Sequence, residues 1–92
     1  MIFEWDEAKR RRVLHERGLD FLDAAAIFDG RNRLTIPSPR GPEERWISIG
    51  ELDDLLIAVV WTWRNGNIRL ITMRRARNEE KRHYRAAFGQ AD

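Results

Sequence analysis

The stretch from Leu56 to Arg77 limits the possible folds of this chain more than any other. The apolar run Leu56-Ile57-Ala58-Val59-Val60-Trp61-Thr62-Trp63 meets Asn65-Gly66, and the chain returns as Asn67-Ile68-Arg69-Leu70-Ile71-Thr72-Met73. Two β-rich runs joined by Asn-Gly predict a hairpin, because both central residues of a type I′ turn need positive φ. A two-residue turn also sets the register: Arg64 faces Asn67, Trp63 faces Ile68, Thr62 faces Arg69 and Trp61 faces Leu70. Side chains alternate along a strand, so Arg64, Thr62 and Arg69 share one face. Arg64 and Arg69 are then diagonal neighbours within reach of one anion. Trp61 and Trp63 fall on the other face with Ile68 and Leu70, where a core is expected rather than a base-stacking platform. The return ends in Arg74-Arg75-Ala76-Arg77.

The rest of the chain supplies the layers around this ribbon. Ile2-Phe3-Glu4-Trp5 alternates and suits a short edge strand. Asp6 suits an N-cap for a helix to Arg17, with Gly18 at its end and only Ala8, Val13 and Leu14 as a thin apolar face. Asp20 begins a second helix whose Phe21, Ala24, Ala25 and Phe28 form a buried stripe at i, i+3, i+4 and i+7. Leu19 and Ala24 form a hydrophobic staple there, and Asp29-Gly30 is the stop. Arg33 to Ile36 reads as a strand, Pro37 to Pro42 as a loop, Arg45 to Ile49 as a strand and Gly50 to Asp54 as a turn. Asn78, Glu79 and Glu80 open a last helix with Tyr84, Ala87 and Phe88 on its apolar side and Gly89 as its stop. The expected fold is α+β: two N-terminal helices, a three- to four-stranded antiparallel sheet and a C-terminal helix, with the helices on one face of the sheet.

Ninety-two residues make one domain with one core. Cysteine is absent, which excludes disulfides and thiolate metal sites, and His15 and His83 form no metal-binding spacing. No cofactor is expected. The opening Glu4, Asp6 and Glu7 is unlike a secretory leader, and no apolar run approaches the ~20 residues of a membrane span, so a cytoplasmic location without membrane contact is expected. Net charge is +2, but it is unevenly placed: residues 64–92 hold eight basic and three acidic groups, whereas residues 1–29 hold five and seven. Fifteen of the seventeen basic residues are arginine, whose planar fork binds phosphate bidentately.

This equipment suits phosphodiester cleavage. RNA carries its own nucleophile, the 2′-hydroxyl, so a protein need supply only a proton acceptor, a proton donor and positive charge at the phosphate. Arg64, Arg69 and Arg74 are the candidate clamp, with Glu80 and Tyr84 as assisting catalytic groups beside the less favoured His83. Arg75, Arg77 and Lys9, the last from the basic run Lys9 to Arg12, are candidate RNA contacts. Each has an ordinary structural reading as well: a surface pair at a helix start for Glu80, a core ring for Tyr84, a solvated face for the basic run. His15, on a weakly amphipathic helix, is left outside the site.

Phe3-Glu4-Trp5-Asp6 followed by Lys9 resembles the opening of the BrnT family of type II toxins. So do Gly18 with Phe21 and Ala24-Ala25, Phe28, the Glu44-Arg45 pair before a strand ending in Gly50, and Trp61-Thr62-Trp63-Arg64. Ile68 to Ala76 is similar to the family's Ile-Arg-x-Ile-Ser-x-Arg-Lys/Arg-Ala pattern, and Glu80 and Tyr84 match the acidic and aromatic residues of its terminal helix. The resemblance implies a RelE/ParE-like fold and metal-independent ribonuclease activity toward cellular RNA. It also implies neutralisation by a BrnA-like ribbon-helix-helix antitoxin, through which the pair would bind promoter DNA. Many members carry Asn and then Lys-His-Gly along the first helix, where this chain has Val13 and then Glu16-Arg17-Gly18; Arg17 holds charge but shuttles no proton. Two other readings fit the same residues. One is a toxin-fold binding module, catalytically weak or inactive, acting through its antitoxin and promoter DNA. The other is a toxin of this fold directed at a protein target.

Overall fold

The structure, a computed structural model, describes residues 2–39 and 41–89. Its elements are β1 (Phe3–Glu4), α1 (Glu7–Arg17), α2 (Phe21–Ala24) continued by a 3₁₀ turn (Ala25–Phe28), β2 (Arg33–Ser38), β3 (Arg45–Leu52), β4 (Leu55–Arg64), β5 (Asn67–Arg75) and α3 (Asn78–Phe88). The α+β class holds, but the sheet has five strands rather than three or four, in the order β1-β5-β4-β3-β2. It is also mixed: β1 runs parallel to β5, pairing Phe3 with Ile68 and Glu4 with Arg69.

The β4–β5 hairpin forms in the expected register, from Arg64↔Asn67 to Trp61↔Leu70. Asn65 (φ 52) and Gly66 (φ 79) both take the left-handed backbone that this turn demands. Asp53 (φ 51) and Asp54 (φ 64) make a second two-residue turn, so β3 continues to Leu52 where the sequence suggested a turn from Gly50. Aspartate tolerates this backbone because its short side chain bonds locally. Pro37 lies within β2, whose extension to Ser38 corrects the loop expected from Pro37; an edge strand accepts a residue without an N–H. Arg40 of that expected loop lies outside the described residues.

Helices cover both faces of the sheet, which corrects the one-sided layer. On the back face, Ile57, Val59 and Trp61 of β4 and Ile68, Leu70 and Met73 of β5 pack with Phe21, Ala24, Ile27 and Val13. On the front face, Tyr84 and Ala76 pack with Ile49 and Ala58, which places α3 over part of β2 and β3. The second helix tightens into a 3₁₀ turn after Ala24, so its buried positions follow a three-residue step. Ile27 is fully buried and Ala25 is exposed, the reverse of the expected stripe. Gly50 is needed where that turn crosses β3, because a Cβ there would lie 2.8 Å from Ile27 Cγ2.

Of the thin apolar face of α1 only Val13 is buried. The helix is held instead by polar bonds. Asp6 accepts from the Ala8 and Lys9 N–H groups, and Arg10 ties Glu7 to Asp20 at 2.7 and 3.0 Å. Trp61 is core as expected, its Nε1 donating to the buried Ser48 hydroxyl at 2.8 Å. Trp63, expected beside it in the core, is 52% exposed: it lies one residue from the end of β4, with its ring edge-on to Trp61 at 5.2 Å between centroids. At the end of α3, Ala87 and Phe88 are likewise exposed, leaving Tyr84 as the buried apolar contact of that helix.

Candidate RNA-phosphate groove

The part of the front face that α3 leaves open is a groove of about 510 Å³. Its floor is Ile47, Val60, Ile71 and Thr72, and its cationic rim is Lys9, Arg17, Arg45, Arg74 and Arg77. A second compartment of about 210 Å³ adjoins it toward the ribbon tip, lined by Arg64, Arg69, Leu70, Asp6 and Glu43, and sharing Lys9, Arg45 and Ile71 with the first. Seven cations (Lys9, Arg17, Arg45, Arg64, Arg69, Arg74, Arg77) therefore surround the two compartments, against the carboxylates Asp6 and Glu43. Like charges crowded together raise their mutual energy unless an anion joins them.

A β-bulge brings the ribbon arginines to one side. Arg69 and Arg74 are five residues apart, which in a regular strand places them on opposite faces. Trp61 pairs with Leu70 but Val60 pairs with Thr72, so Ile71 is the extra residue and the alternation reverses after it. Arg69 stands opposite Thr62 and Arg74 opposite Ala58, both on the front face with Arg64. The same reversal sends Arg75 to the back face beside Ile57, away from the groove. Of the three expected RNA contacts, Arg77 and Lys9 line the groove and Arg75 does not.

The arginines differ in how they are held. Arg74 makes a two-pronged pair with Glu80 at 2.7 and 2.9 Å, both side chains being largely buried. The same carboxylate accepts the Arg77 N–H at 2.8 Å, capping the start of α3. The Arg74 guanidinium lowers the pKa of Glu80 against the opposing cost of burial, with the Arg77 N–H adding to the shift. Arg69 approaches Glu4 at a looser 3.5 Å across the β1–β5 pair. Arg64, exposed at the tip, makes no ion pair among the described residues.

Tyr84 is not brought into the groove. Its ring lies in the front core against Phe88, 4.9 Å between centroids, and burial raises its hydroxyl pKa, with Glu51 adding to the rise. Both histidines are exposed and neither lines the groove. Two cationic lining residues, Arg17 and Arg45, were not among the sequence candidates. Arg17 reaches over the unpaired edge of β5, donating to the Met73 carbonyl at 2.9 Å and the Thr72 hydroxyl at 3.1 Å. Arg45 shares the face of Ile47 through strand alternation, a signal available once β3 is paired with β4.

This is an α+β domain with an arginine-lined groove on the face of a β-ribbon. The model of the family described as "Ribonuclease toxin, BrnT, of type II toxin-antitoxin system" matches residues 5–80, and the chain belongs to that family. The comparison with curated proteins gives no match.

Proposed function

We propose that this toxin is an endoribonuclease that cleaves RNA in the groove without a metal ion. The observation that supports this most is the common front face of Arg64, Arg69 and Arg74, two of them on a stiff hairpin and the third behind the bulge. A phosphodiester seated there meets guanidinium donors where charge grows as the 2′-oxygen attacks phosphorus, and each such donor is typically worth ~10²–10³ in rate. The products are a 2′,3′-cyclic phosphate and a 5′-hydroxyl end. Glu80 and Tyr84 then take supporting parts. A carboxylate paired on both oxygens and depressed in pKa is a poor proton acceptor, so Glu80 aims Arg74, while Tyr84 anchors α3. A BrnA-like ribbon-helix-helix antitoxin would neutralise the enzyme and carry the pair to promoter DNA.

The alternative reading, a binding module that acts only through its antitoxin, draws support from the closed Arg74–Glu80 pair and from the absence of histidine among the groove-lining residues. One experiment separates the two. Antitoxin-free protein is incubated with a defined single-stranded RNA in EDTA, and its expression is scored for growth arrest. The nuclease reading requires cleavage with cyclic-phosphate ends, and intact RNA at micromolar enzyme would favour the binding module.

A further inference from the structure

The groove contains one cation able to release a proton. Arginine stays protonated throughout the working pH range, so the arginines of both compartments hold charge but transfer nothing. Asp6 is engaged as the cap of α1, accepting from the Ala8 and Lys9 N–H groups at 2.9 and 3.3 Å. Glu43 lies 3.4 Å from Arg45. Lys9 remains. It occupies the third position of α1, and its side chain lines both compartments at their junction with Arg45 and Ile71.

We propose that Lys9 is a catalytic residue, the general acid that protonates the departing 5′-oxygen; this rests on the nuclease reading above. Position decides the assignment. The clamp residues Arg64 and Arg69 line one compartment and Arg74 the other, so a phosphate held between them sits at the junction that Lys9 lines, where an ammonium can meet its departing oxygen. In the step, the 2′-oxygen forms its bond to phosphorus and its proton passes to solvent water. The bond from phosphorus to the 5′-oxygen breaks with its electron pair on oxygen, and the Lys9 ammonium gives that oxygen a proton. Solvent then reprotonates the amine, and atoms and charge balance without a further reactant.

The surroundings of the amine favour this role. Burial lowers its pKa most, the positive charges of Arg12, Arg45 and Arg17 lower it further, and Asp6 opposes them. A lysine so placed is a stronger acid than one in water, and general acid help is typically worth 10²–10⁴-fold.

The test uses the full chain, wild type and the Lys9→Arg variant, on two oligonucleotides with one cleavable linkage. One is ordinary RNA; the other carries sulfur in place of the bridging 5′-oxygen. A thiolate departs without protonation, so loss of a general acid is silent on that substrate, whereas loss of a binding charge is not. Lys9→Arg keeps the charge and, by far-UV circular dichroism and melting temperature, is expected to keep the fold. The expected result is a loss of at least about 10²-fold on ordinary RNA that shrinks to within about threefold on the sulfur substrate. The wild-type rate on RNA should also fall on the alkaline side, a limb missing from the variant profile. Equal losses on both substrates, or no loss on either, would overturn the assignment while leaving the nuclease standing. Failure of the wild type to cut either substrate would overturn the nuclease reading and the assignment with it.

Discussion

The two ends of the β4–β5 ribbon carry the same side chain in opposite circumstances. At the base, Arg74 is largely buried, gripped by both oxygens of Glu80 and tied through that carboxylate to the start of α3. At the tip, Arg64 is exposed, while Arg69 leans on Glu4 at 3.5 Å. The difference shows that guanidinium type alone does not define a function. A guanidinium locked to a buried carboxylate is part of the scaffold as much as of the site, because removing either partner strands a charge in a dry place. An unpartnered one at a ribbon tip costs the fold little to hold and is free for an incoming anion. In the proposed nuclease the base would therefore fix where a phosphate sits, and the tip would supply grip.

Loss at the base should be the larger. Arg74→Ala is expected to lower the single-turnover cleavage rate by about 10²–10³-fold and to reduce stability by roughly 3 kcal/mol in urea, since Glu80 is left buried and unpaired. A variant that keeps wild-type stability would break the distinction between base and tip.

The carboxylate side of that pair gives a pH signature. Glu80→Gln should lose roughly 1–3 kcal/mol at pH 7. Its folded-state pKa is depressed, so the charged pair stabilises the protein above the ordinary glutamate range and loses that contribution as pH falls below it. Unfolding curves for the variant and wild type should converge below about pH 4. A stability gap that stays constant down to acid pH would contradict an ionised Glu80.

At the tip, Arg64→Ala should weaken RNA binding about tenfold and reduce the slope of log affinity against log salt by about one unit. Its stability should remain within about 0.5 kcal/mol of wild type. The smallest effect is assigned to Glu4→Gln. It releases Arg69 from a partly exposed pair and should shift stability by less than ~1 kcal/mol in the same urea titration.

How much of this was legible in the sequence follows from the range of the interactions. The Asn65-Gly66 hairpin and its register were readable because turn chemistry is local. The helix caps at Asp6 and Asp20 were readable for the same reason. The parallel pairing of β1 depends on contacts between residues more than sixty positions apart, and no local pattern announces it. The bulge at Ile71 has no signature in its own residues, yet it moves Arg74 into the groove and Arg75 out of it. Ile27 was missed because the expected period was that of an α-helix, whereas crowding against Gly50 accompanies a tighter turn. Of the candidate site, Arg64, Arg69, Arg74, Arg77 and Lys9 line the groove. Tyr84 does not, since burial in the front core outweighs what its phenol suggested.

The most direct measurement is single-turnover cleavage of one defined RNA by wild type and by an Arg64→Ala, Arg69→Ala double variant that melts like wild type. Adjacent guanidiniums on one face of the ribbon predict a rate lower by more than about 10²-fold and a flatter salt dependence. Equal rates and equal salt slopes in the two proteins would mean that the ribbon tip does not hold the phosphate.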